Sequence, residues 1–375
     1  MNDAFQALMH RATSLTREGR LGEATEAIQR ALRGASGAAM RDAGRAPPYG
    51  VLDRCIVEAG PAPPYDVLDG CIVEVDPPPR PAARRPDARA DAAAAPRGEV
   101  RSGTHAHGTM SRDYRLYVPP GPLAAPRPLV VMLHGCTQDP DDFAAGTGMD
   151  EHALEQGFFV LYPAQSRRAN PQRCWNWFKH THQRPGRGEP GLIASMTRAV
   201  IREHGLDAGR VYVAGLSAGG AMAAIVAAAH PEVFRAVGVH SGLAPGAAGS
   251  LPEALSAMQG GGAPPGQQRL MVPAIVFHGD HDQTVHPSNG ERVIEAATTG
   301  GRAPRIERGS TPQGRAFTRT IHPGADGRAG AEHWVVHGAG HAWSGGRSAG
   351  SYTDASGPDA TAEMLRFFFE QPAAR

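Results

Sequence analysis

The residues best suited to chemistry lie in Arg210-Val-Tyr-Val-Ala-Gly-Leu-Ser-Ala-Gly-Gly-Ala-Met-Ala-Ala224, where an apolar strand enters a turn of small residues and leaves as an apolar helix. Its centre, Gly215-Leu-Ser-Ala-Gly219, has the G-x-S-x-G spacing of a strained strand-to-helix turn. Glycines on either side of such a serine remove the Cβ atoms that would collide as the chain reverses. The hydroxyl is lifted above the sheet, and backbone N–H groups aim at the same point. Ser217 is therefore a candidate nucleophile for acyl transfer, provided the chain also supplies a base, an acid and an oxyanion hole.

On such a turn the three catalytic groups follow the chain order serine, acid, histidine, each on a loop after a strand. The strand Ala274-Ile-Val-Phe-His278 leads into Gly279-Asp-His-Asp-Gln-Thr-Val285, with two carboxylates on one loop. Asp282 is the predicted acid, because the G-x-x-D-x-x-V spacing carries it past the turn while Val285 folds back beneath; Asp280 is expected to satisfy loop N–H groups. After the strand His333-Trp-Val-Val-His337, the small residues of Gly338-Ala-Gly-His-Ala-Trp343 allow a close approach to Ser217, making His341 the predicted general base. A zinc site built from His278, Asp280, His281, Asp282 and His286 is the competing use of the acidic loop, but the triad order already accounts for it. The oxyanion hole is expected from the amides of Ala218, just after the nucleophile, and Cys136, in the His-Gly opening of Leu133-His-Gly-Cys-Thr-Gln138. This chemistry needs no cofactor and no metal.

The elements needed to position these groups are legible from residue 98 onward. Asp113–Val118 alternates like an edge strand, while Pro128–Leu133, Gly157–Tyr162, Val211–Val213, Ala236–His240 and Ala274–His278 read as buried strands. Helices are predicted over Ile193–His204, Ala221–Ala229 and Asp359–Glu370. Strands alternating with helices imply an α/β fold: a mostly parallel sheet sandwiched by helices, with ligands beyond the carboxyl ends of the strands. This catalytic domain is expected to span residues 98–372.

Upstream, residues 1–33 place Phe5, Leu8, Met9, Ala12 and Leu15, then Leu21, Ala24, Ile28 and Leu32, at helical spacing around Glu18-Gly-Arg-Leu-Gly22. They predict an N-terminal helical hairpin whose apolar face must lie on the catalytic domain, on a second copy by self-association, or on a docking partner. Residues 34–97, rich in Ala, Pro, Gly and Arg, predict a disordered linker. It contains a tandem duplication: residues 47–58 return as 63–74 with changes only at Gly50/Asp66 and Arg54/Gly70. Lys and Arg number 38 against 37 Asp and Glu, which gives no electrostatic case for nucleic acid. No apolar run is long enough for a transmembrane segment, and no signal peptide is read at the start, so the expected location is cytoplasmic.

The assembled motifs resemble the poly(3-hydroxybutyrate) depolymerase family of α/β-hydrolase esterases, which includes feruloyl and acetylxylan esterases. The resemblance rests on His134-Gly-Cys-Thr-Gln138, Cys174-Trp-Asn-Trp-Phe178, Gly215-Leu-Ser-Ala-Gly-Gly220, His278-Gly-x-x-Asp282 and Gly340-His-Ala-Trp343. It implies an α/β-hydrolase fold and hydrolysis of polymeric or oligomeric hydroxyalkanoate esters by Ser217, Asp282 and His341. Feruloyl or acetylxylan esters are the alternative substrates, and a non-catalytic granule- or partner-binding protein is the alternative class. It also implies pairing of Cys136 with Cys174 in exported members, and a polyhydroxyalkanoate granule surface as a partner. Many members are extracellular, which is the alternative location; the hairpin looks like that of intracellular members. Trp175, Trp177 and Phe178 either meet substrate or pack beneath their loop, and Gln138 either meets substrate or caps its loop. His134 is grouped with them as a candidate substrate contact.

Overall fold

The computed structural model describes residues 98–122, 125–260, 268–298, 303–324 and 327–372; the hairpin, linker and duplication expected in residues 1–97 lie outside them. Ten strands form one sheet in the order β1-β2-β4-β3-β5-β6-β7-β10-β9-β8. Its centre is β3 (Leu129–Leu133), β4 (Phe159–Pro163), β5 (Val211–Leu216), β6 (Ala236–His240) and β7 (Ala274–Gly279), every residue of which is buried. These strands pair in parallel, as does β10 (Ala329–Val336) with β7. Burial on both faces explains why their sequences are continuous apolar runs rather than alternating ones.

Within one strand the two faces feed different cores. Leu129, Val131 and Leu133 of β3 join the cluster of Met196, Met222, Ile225 and Val293, whereas Val130 and Met132 join Phe143, Met149, Tyr212 and Phe368. The first cluster is capped by α3 (Gly188–His204), α4 (Ala218–Ala229) and α6 (Ser288–Ala297), the second by α1 (Pro140–Thr147), α2 (Met149–Gln156) and α7 (Ala360–Glu370). The short helix α5 (Leu251–Met258) stands between β6 and β7 in the chain. Asp359 begins α7 by accepting the Ala362 N–H at 2.9 Å, and Phe368 then stacks on Tyr212 with ring centres 5.0 Å apart.

The expected edge strand is not at an edge. Its region is β2 (Met110–Val118), and β1 (Glu99–His107) pairs with it antiparallel on the outside. At the other margin β9 (Ala316–Pro323) and β8 (Arg305–Ser310), neither of them predicted, continue the sheet antiparallel from β10. The parallel centre with antiparallel margins is the α/β-hydrolase arrangement that the motifs imply. Among the described residues no helix is long and apolar enough to cross a membrane.

Candidate active site

Ser217 lies between β5 and α4 with φ 57° and ψ −120°, a left-handed conformation that a serine adopts only under constraint. The constraint is visible in the flanking glycines. A Cβ on Gly219 would fall 2.0 Å from the Leu133 carbonyl oxygen, and one on Gly215 would fall 2.4 Å from the Gly219 carbonyl carbon. Backbone on both sides leaves no room to relax. The Ser217 N–H donates to the His240 carbonyl at 2.9 Å, and the Ser217 carbonyl accepts the Ala221 N–H at 2.9 Å. The Ala218 amide, at the first position of α4, lies ahead of the intrahelical bonding pattern and at the positive end of the helix.

The Asp282 side chain is fully buried in the turn after β7. Its Oδ1 accepts the N–H groups of Thr284 and Val285, both at 2.9 Å. Its Oδ2 faces His341 Nδ1 at 2.7 Å and His278 Nε2 at 3.4 Å. Burial opposes ionisation of this carboxyl, but the hydrogen bonds from the two imidazoles and the Val285 amide outweigh it and hold the group well below the usual carboxylate range. An ionised acceptor on Nδ1 puts the His341 proton there and leaves Nε2 as the basic lone pair. Among the described residues no hydrogen bond joins Ser217 Oγ to His341, a contact that often tightens only around bound substrate.

The neighbouring loop residues have other duties. Asp280 faces His337 Nδ1 at 2.8 Å and accepts the Gly338 N–H at 2.6 Å, which is the loop-satisfying role expected of it. His278 Nε2 donates to the Val285 carbonyl at 2.8 Å, and His286 Nδ1 meets Ser288 Oγ at 2.9 Å. Among the described residues no group of three or more His, Cys, Asp or Glu is placed to hold a metal ion.

The loop after β3 carries Cys136, which is disulfide-bonded to Cys174, with Cα atoms 4.2 Å apart. The bond ties the candidate oxyanion amide to the Cys174–Phe178 segment. Gln138 is 2% exposed, and its Oε1 accepts the Gly135 N–H at 2.9 Å while Nε2 donates to Asp142 and the Ser351 carbonyl. It caps its loop. His134 is also enclosed: Nδ1 donates to the Gly135 carbonyl at 2.8 Å, Nε2 accepts the Gln165 N–H at 3.1 Å, and burial pushes its pKa down to about 4. Trp175 is 0% exposed and packs against that ring, 5.7 Å centre to centre. His134, Gln138 and Trp175 are thus all buried, the first two hydrogen-bonded within their loop and Trp175 with its Nε1 unpaired. Trp177 is buried and meets Phe178 edge-on at 5.8 Å; Phe178 is the half-buried member of the set.

Two elements of the site escaped the sequence reading. Buried Glu189 receives the Asn176 N–H at 2.7 Å, Asn176 Nδ2 at 2.8 Å, Gln165 Nε2 at 2.6 Å and Arg112 Nη2 at 3.2 Å. His182 Nδ1 stands 3.5 Å away. Burial raises its pKa, but His182, Gln165 and Asn176 together bring it down to about 2. The second is His240, whose place at the carboxyl end of the strand next to β5 was the available signal.

Comparison with known proteins points the same way. Residues 112–297 match the family model described as esterase PHB depolymerase; the span contains Ser217 and Asp282, and His341 lies beyond it. The chain is 31% identical over 238 residues to poly(3-hydroxyalkanoate) depolymerase C of Paucimonas lemoignei, covering 60% of this chain and 57% of that protein. It is 34% identical over 139 residues to feruloyl esterase B of Neurospora crassa, covering 36% and 47%. The chain therefore spans about half the length of these curated relatives. Among solved structures, an acetyl xylan esterase from Aspergillus awamori superposes with a TM-score of 0.57 at 21% identity, covering 72% of this chain and 99% of that one, a likeness of fold.

Proposed function

We propose that this chain, whose residues 112–297 match the model described as esterase PHB depolymerase, is a serine hydrolase of carboxylic esters acting on poly- or oligo-(3-hydroxybutyrate) and related short-chain hydroxyalkanoates. The observation that carries the reading is the buried Asp282–His341 pair, 2.7 Å apart, in the loops that follow β7 and β10, together with a strained Ser217 in the turn that follows β5 of the same sheet. Ser217 Oγ attacks the ester carbonyl while His341 Nε2 takes its proton, and Asp282 stabilises the imidazolium. The tetrahedral oxyanion is held by the amides of Cys136 and Ala218. As the intermediate collapses, the proton passes from His341 to the departing alkoxide, leaving an acyl-enzyme and a free alcohol. Water, deprotonated by the same nitrogen, then releases the acid and restores Ser217.

Half-buried Phe178 is the aromatic surface offered to the acyl chain, with buried Trp177 packed edge-on against it. A granule surface is the proposed partner of the polymer reading. Feruloyl or acetyl esters are the second reading, favoured by relatives that bear those names. The test is release of 3-hydroxybutyrate from amorphous polymer granules, run beside a soluble butyrate ester and a feruloyl ester, with Ser217→Ala as the blank. Granule hydrolysis is the expected result. Turnover of soluble esters alone would remove the polymer, and failure of the folded wild type to react with a fluorophosphonate would favour a binding protein.

A further inference from the structure

His240 is the last residue of β6, 1% exposed, and is hydrogen-bonded into the sheet between β5 and β7. Two of its acceptors reach two different parts of the candidate machinery. Its backbone carbonyl receives the Ser217 N–H at 2.9 Å. Its ring Nε2 faces the Ser344 N–H at 2.9 Å, three positions beyond His341. A backbone N–H only donates, so Nε2 must be bare and the ring proton must sit on Nδ1, where Ser241 Oγ accepts it at 3.2 Å. Burial pushes the pKa of this imidazole down to about 3, and the nearby His278 and His341 add to the effect against the opposing Asp282, so the ring stays neutral with a fixed tautomer.

The ring is also clamped. Its centre lies 5.1 Å from that of Trp343 at 27° and 5.8 Å from that of Phe277 at 17°. Trp343 is in turn held by Nε1 donating to Thr361 Oγ1 at 3.0 Å and by its own N–H donating to the Tyr352 carbonyl at 2.7 Å. A core histidine serving only as packing would need none of this polar registration with Ser344. Close approach at the other end is built in as well, since a Cβ on Gly220 would stand 3.1 Å from the His240 carbonyl oxygen.

We infer that His240 is a positioning residue that sets the distance between nucleophile and base, its carbonyl fixing the Ser217 turn and its ring fixing the segment that carries His341. The inference rests on the hydrolase reading above. The consequence is specific to the transition state: loosening the His341 segment misplaces the base without touching the substrate surface. A misplacement of about 1 Å costs on the order of 100-fold in turnover.

The test compares His240→Phe, which keeps an aromatic ring in the stack but lacks the acceptor, with His240→Gln, whose longer side chain can present an oxygen to Ser344, and His240→Asn, whose shorter one cannot. Each is measured for melting temperature, rate of fluorophosphonate labelling, and kcat and KM on a soluble butyrate ester well below melting. The expected result for His240→Phe is a kcat lower by about 100-fold with KM within about 2-fold, with partial recovery in His240→Gln. If His240→Phe does not fold, the Gln and Asn variants decide, with kcat of the Gln form expected to be higher at equal KM. Labelling of His240→Phe at the wild-type rate, or equal kcat in the Gln and Asn forms, would overturn the inference and reduce the ring to packing. A wild type that is folded and never labels would overturn the hydrolase reading, and this inference with it.

Discussion

Two aspartates two positions apart each hold a histidine by Nδ1, at 2.7 Å for Asp282–His341 and 2.8 Å for Asp280–His337, so bond length alone does not separate them. Environment does. The side chains of Asp282 and His341 are 0% and 12% exposed, whereas those of Asp280 and His337 are 33% and 42% exposed and screened by solvent. His337 also turns its Nε2 to Thr318 Oγ1 at 2.9 Å, on β9. In Asp282→Asn the new amide can present a donor where His341 needs an acceptor, which favours the other tautomer and occupies the basic nitrogen. The expected loss is about 10⁴-fold in kcat, against less than about 10-fold for Asp280→Asn, measured on one soluble ester. Equal losses would reassign the acid. The backbone marks the same region: the non-glycine residues with positive φ among those described are Thr137, Arg173, Ser217, Ser241 and Tyr352. Ser217 and Ser241 follow β5 and β6, Arg173 precedes the disulfide, and the Tyr352 hydroxyl is 3.3 Å from Thr137 Oγ1. Strain concentrated there is what a preorganised site requires.

The element that supports the Cys174–Phe178 segment is the start of α3, through Glu189. A carboxylate 1% exposed and held at a pKa of about 2, against an ordinary value of 4.5, stabilises the folded state whenever it is ionised in both states. That stabilisation is present in full above pH 4.5 and is lost as pH falls through the folded value of about 2; for this shift it is about 3 kcal/mol. Glu189→Gln is therefore expected to unfold in less urea at pH 7, with the gap to wild type closing as pH is lowered towards 2. A gap independent of pH would mean that the charge does not matter. This network was not legible in the sequence because its members, Arg112, Gln165, Asn176 and Glu189, are scattered along the chain and carry no spacing. The elbow was legible because its constraint is local, two glycines around one serine. The central strands were legible because burial on both faces writes an apolar run. β1 and β8 were not, since both are largely exposed at the sheet margins and held by ladder bonds that leave no hydrophobic pattern. The inward packing of His134 and Gln138 was hidden for a related reason: a motif gives residue types next to a site, but only packing reveals that these two hold the loop.

At the scale of the molecule, one covalent link joins the loops that follow β3 and β4 on the carboxyl side of the sheet. Cys136–Cys174 spans a sequence separation of 38. Closing a loop of that length removes unfolded-state entropy worth about 4 kcal/mol in the chain-entropy description. It also fixes the residue whose amide is the candidate oxyanion donor, so stability and turnover are coupled through the same bond. Disulfides persist in oxidising compartments and are rare where thiol buffers keep cysteines reduced, so the redox state of this pair in the native source tests the cytoplasmic location expected from the sequence. The expected outcome is that full reduction, or Cys136→Ser, lowers the melting temperature by roughly 10 °C. It should also lower kcat on a soluble ester more than it raises KM, because oxyanion stabilisation acts chiefly in the transition state. Melting curves and kinetics with and without reductant measure both effects, and mass spectrometry of the peptides containing Cys136 and Cys174 shows whether they are linked in the native source. A native pool that is reduced yet equally stable and active would place the protein in the cytoplasm and leave the two cysteines as packed thiols.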